Sequence, residues 1–68
     1  MVNARESRRI GNILTIVKLI KELKDKERVI HYEGLVAEIQ DKMDVSNRVA
    51  KDYINCALFK LKINRSEL

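Results

Sequence analysis

Residues 33–63, EGLVAEIQDKMDVSNRVAKDYINCALFKLKI, decide how this chain folds. Leu35, Val36, Ile39 and Met43 recur at helical spacing with Glu38, Gln40, Asp41 and Lys42 facing away, which predicts a helix from about 33 to 43. Glu33 at its start suits the positive end of the helix dipole. A second run places Val49, Ala50, Tyr53, Ile54, Ala57, Leu58 and Leu61 on one face, and Arg48, Lys51, Asp52, Asn55, Phe59 and Lys62 on the other. It predicts a helix from about 47 to 62. Only Asp44, Val45 and Ser46 lie between. Asp is among the few residues besides Gly that tolerate a left-handed turn, Val45 is apolar enough to plug the space between the helices, and Ser46 can cap the second helix by accepting a backbone N–H.

Outward toward the N-terminus, a first helix is expected over about 4 to 26. Asn3 is its N-cap, with Glu6 three residues on to close a capping box and Ser7 as a competing start. From Ile10 to Leu23 its apolar residues cover roughly 220° of a helical wheel, more than one core face requires. Of the remaining residues, Gly11, Thr15, Lys18 and Glu22 form one narrow stripe. Such a helix is expected to lie centrally in its own bundle and also against a second subunit, with Ile16, Leu19 and Leu23 as interface residues. Val29 to Tyr32, β-branched and aromatic, reads as one short strand that needs a partner. Phe59 to Ile63 reads either as the end of the last helix or as an alternating extended segment able to pair with 29–32. In the helical case Phe59 projects from a polar face, and a dimer partner is its expected cover. The tail NRSEL is too short for a hairpin.

Sixty-eight residues make one domain, 1–68, near the lower size at which a core alone stabilises a chain, so a homodimer is expected. The content of 46% hydrophobic and 35% charged residues without Pro fits a compact helical protein rather than a disordered one. One cysteine, Cys56, and one histidine, His31, give no internal disulfide and no metal ligand set. Catalysis has no support: no nucleophile with a placed base, no phosphate-cradling Gly loop and no paired His ligands are present, and no cofactor or small-molecule substrate is evident. No apolar run approaches the roughly 20 residues that span a bilayer, and MVNARESRR lacks the apolar core of a signal peptide. A cytoplasmic location is expected.

The net charge of +4 is unevenly placed. Residues 32 to 45 carry four carboxylates against one lysine, and residues 46 to 68 carry five cations against two carboxylates. Positive charge therefore collects on the second helix of the pair and at the N-terminus, where a phosphate backbone would draw it. On the outer face, Arg48 suits a guanine edge, Asn55 an adenine edge, and Lys51 a base or a phosphate. Asn47 beside the turn suits a phosphate or assists the cap. Arg5, Arg8 and Arg9 suit an adjacent backbone or minor groove. For any single one of these residues, an ordinary solvated position is the simpler explanation. The set, following a turn and a cap, supports binding better.

On residues 35 to 54, LVAEIQDKMDVSNRVAKDYI, with Ala37 and Val45 near the usual small and apolar positions, the chain resembles the winged-helix and helix-turn-helix DNA-binding proteins, particularly small regulators of archaea and their viruses and plasmids. The resemblance implies a mainly α, three-helix fold with the wing reduced or absent. It also implies that the last helix enters the major groove, carrying a reading role onto Asn47, Arg48, Lys51, Asp52 and Asn55. Lys62, on the same outer face, is expected as a further DNA contact from its position and charge. The expected function is sequence-specific binding of double-stranded DNA as a dimer, in transcriptional regulation. Two alternatives stand beside it, a protein-interaction module of the same fold and a sequence-neutral DNA-coating protein.

Overall fold

The computed structural model describes residues 4–67, and the side chains of residues 8–66. The chain forms three helices, α1 (Ala4–Asp25), α2 (Tyr32–Met43) and α3 (Asn47–Leu61), and closes with a 3-10 turn at Arg65–Glu67. No strand occurs among the described residues. The proposed capping box at Asn3 and Glu6, and the competing start at Ser7, lie outside the described side chains. No helix among the described residues is long and apolar enough to cross a membrane.

One aliphatic core holds the helices together. Ile13, Ile16 and Ile20 from α1 meet Leu35, Val36 and Ile39 from α2 and Ala50, Ile54, Ala57 and Leu58 from α3, with Ile30 of the connecting segment beneath them. Both α1 and α2 pack on α3, which makes α3 the central element. Ala50 and Ala57 are fully enclosed, and side chains this small let a neighbouring helix pack close to α3. No polar or charged side chain is buried among the described residues, so the core is held by apolar burial and packing alone.

Val29 to Tyr32 is not a strand. Ile30 anchors the segment in the core while Val29 is 78% exposed, and Tyr32 already belongs to α2. The alternative partner, 59–63, forms no strand because α3 stays helical through Leu61. Without a second strand, the backbone N–H and C=O groups of an extended segment have no ladder to join, and the short link instead feeds directly into α2.

All three helix ends use a non-glycine residue in the left-handed region: Glu27 after α1 (φ 56°), Asp44 after α2 (φ 52°) and Lys62 after α3 (φ 56°). The terminal carbonyls are then satisfied by N–H groups just beyond the helix, Arg28 to Leu23 at 3.0 Å, Val45 to Gln40 at 3.3 Å and Ile63 to Leu58 at 3.0 Å. Ile63 packs back against the core as it closes α3. The chain's two glycines lie within helices instead, Gly34 in the first turn of α2 and Gly11 in the interior of α1, where glycine weakens a helix. A Cβ at Gly11 would meet no atom within 4 Å. Gly11→Ala should therefore raise stability by about 1 kcal/mol, and a thermal melt should move up by roughly 4–8 °C. An unchanged or lowered midpoint would contradict this.

Candidate nucleic-acid interface

The turn into α3 is built as its residues dictate. Asp44 takes the left-handed conformation, Val45 packs against the core, and the Ser46 hydroxyl accepts the Val49 N–H at 3.2 Å. That bond satisfies one of the donors a helix start leaves open and fixes where α3 begins. From there Arg48, Asp52, Asn55 and Phe59 follow at spacings of four, three and four, a straight stripe along the outer side of α3, and all four are exposed. Lys51 beside the stripe is half-buried, while Lys62 is exposed at the left-handed C-cap.

Tertiary packing brings distant residues to the stripe. Arg9 of α1 donates to the Asp52 carboxylate at 3.0 Å and approaches Cys56 Sγ at 3.5 Å. This hydrogen bond is the main cause that pushes the Arg9 pKa above its ordinary value. Both partners are about half exposed, so the pair adds little stability, but it counters the one negative charge on the stripe with a cation from another helix. On the other side, the Tyr32 hydroxyl donates to Asn55 Oδ1 at 3.4 Å, and the Arg65 guanidinium lies 4.6 Å over the Tyr32 ring. Tyr32 thereby restrains the Asn55 amide while leaving its NH2 side uncommitted to this bond. Asn47 donates to Gln40 Oε1 at 3.1 Å, bracing α3 against α2 across the turn. Arg8 is exposed on α1, and the Arg5 side chain lies outside the described residues.

No local pattern marks Tyr32 or Arg65 as a site residue. Their proximity to the stripe depends on chain separations, such as the 23 residues between Tyr32 and Asn55. Arg9 was singled out, but for a phosphate; its partner Asp52, 43 residues away, is visible only in the fold.

The expected subunit interface on α1 needs correction. Ile16 is 0% exposed, enclosed by α1's own partners, so it offers no surface to a second chain. Leu19 and Leu23 are half-buried against the same core. The wide apolar arc has its open end elsewhere, at Ile10 and Leu14, which are 49% and 53% exposed. Phe59, at 85%, shares with Ile10 a groove of about 710 Å³, floored by Ile13 and Cys56 and rimmed by Arg9, Lys60 and Lys62. It belongs to the outer stripe of α3 as much as to any subunit interface. Among the described residues, no group of three or more His, Cys, Asp and Glu side chains is placed to hold a metal ion. Comparisons with models of known protein families, with curated proteins and with solved structures found no match.

Proposed function

We propose that this chain is a sequence-specific double-stranded DNA-binding protein, a dimeric transcriptional regulator in which α2 and α3 act as a helix-turn-helix and α3 enters the major groove. The observation that carries this reading is the outer stripe of α3: Arg48, Asp52 and Asn55 exposed in a row on a capped helix that stands between two others, with Lys51 beside them and Lys62 at the helix end. Arg48 and Asn55 are exposed residue types whose donors and acceptors suit guanine and adenine edges, and Lys51 and Lys62 flank them for phosphates. Arg9, by neutralising Asp52, reduces the repulsion that a carboxylate would meet beside DNA.

Leu14 supports the dimer. With Ile10 it is one of the exposed large apolar residues of α1 among the described side chains, it lies outside the groove of Phe59, and a chain this small gains stability by covering it. Two subunits reading successive major grooves would set their α3 helices about 34 Å apart.

A second reading is favoured by the same exposed Ile10, Leu14 and Phe59, a protein-interaction module that docks a larger assembly through them. Selection from a randomised duplex pool at near-physiological salt separates the readings. Enrichment of a palindrome is the expected result, and its half-site spacing fixes the distance between the two α3 helices. Retention without enrichment would instead indicate a sequence-neutral coat, held by phosphate contacts and steeply salt-dependent. No retention, with an oligomer still present by light scattering, would overturn DNA binding in favour of the interaction module.

A further inference from the structure

Phe59 is the most exposed large apolar side chain among the described residues, and it stands on the polar side of α3. At 100° per residue, Arg48, Asn55 and Phe59 fall within about 40° of one another, so the three project in nearly the same direction. At 1.5 Å per residue Phe59 lies about 6 Å beyond Asn55 along the helix, close to two base-pair steps. Whatever Arg48 and Asn55 face, Phe59 faces as well.

The rim around Phe59 limits what can cover it. Among the described residues, Lys60, Lys62 and Arg9 are the charged groups that line the groove it shares with Ile10, and Arg9 is paired with Asp52. The same face of a second copy would bring the like charges of Lys60 and Lys62 together, whereas phosphates on either side of a DNA groove match both. The apolar group that a major groove displays among its donors and acceptors is the C5-methyl of thymine. Resting on the DNA-binding reading above, we propose that Phe59 is a specificity-determining residue that packs on a thymine 5-methyl group in the major groove, two base-pair steps from the base read by Asn55.

The selected duplex tests this directly, with each thymine position in turn replaced by deoxyuridine in both half-sites, which removes the methyl and keeps every hydrogen-bonding atom. The sensitive position should weaken binding by about 15-fold, roughly fourfold for each of the two methyl groups leaving an apolar contact. Phe59→Ala should bind the thymine and deoxyuridine duplexes equally, with the affinity the unaltered protein shows for deoxyuridine, a result that also reports an intact fold. At that same position, 5-methylcytosine should bind better than cytosine. A selected site without thymine, no sensitive position, an undiminished thymine preference in Phe59→Ala, or no gain from methylating cytosine would each overturn the proposal while leaving sequence-specific binding in place. Failure to enrich any sequence would remove both together.

Discussion

Ile54→Ala should cost this protein most of its stability. Ile54 is 0% exposed, on the helix against which both α1 and α2 pack, and its neighbours Ala50 and Ala57 are already too small to close a void. Truncation of a buried isoleucine costs about 2–5 kcal/mol, depending on how far the site collapses. A chain of 68 residues has roughly 3–10 kcal/mol in total at typical values per residue. With no buried polar network, disulfide or metal group to compensate among the described residues, one such cavity brings the folded state close to balance. A circular-dichroism melt should therefore show a midpoint lowered by at least about 10 °C, or no cooperative transition at all. Leu14→Ala, at a half-exposed position, is the matched control and should move the midpoint far less in dilute protein. Because dimer formation makes the midpoint depend on concentration, both variants are compared at one concentration. Similar small shifts for the two would refute the central place assigned to Ile54.

Arg48→Ala should lower affinity for the selected DNA site far more than affinity for unrelated duplex. Arg48 is exposed in the first turn of α3, where a helix entering the major groove reaches base edges. A bidentate contact to guanine is worth about 1–3 kcal/mol of discrimination, so the preference for the selected site should fall roughly 5- to 150-fold at the position Arg48 reads. Lys62→Ala makes the informative contrast. Lys62 lies beyond the last turn of α3, suited to a phosphate, and its loss should weaken all duplexes alike and shallow the salt dependence by about one unit of slope. Titration of both variants on selected and unrelated duplex at two salt concentrations reads these effects separately. Equal losses on all DNA for Arg48→Ala would end its assignment as a base-reading residue.

Much of the architecture was legible in the chain because helical periodicity and capping are local. The apolar spacing of Leu35, Val36 and Ile39 and of Ala50, Ile54 and Leu58 marks the buried faces of α2 and α3, and Ser46 marks where α3 starts. The short strand at 29–32 was misread because Val29, Ile30 and Tyr32 have strand-favouring side chains, while the backbone there has no partner to pair with. Ile16 was misplaced because a wide apolar arc shows that α1 has more than one covered or sticky side, not which residue belongs to which. Only packing against α2 and α3 makes Ile16 interior and leaves Ile10 and Leu14 open.

By itself, then, the sequence determined the three helices, the tight turn before α3, the faces of α2 and α3, and the gathering of positive charge after Ser46, since each of these arises from interactions within a few residues or from composition. Only the tertiary structure decided that Arg9 meets Asp52, that Tyr32 holds Asn55 with Arg65 above it, and that Phe59 and Ile10 share one cation-rimmed groove. Those pairings join residues far apart in the chain. They follow from how α1 and α2 are seated on α3 by the common aliphatic core, and no local spacing specifies that seating.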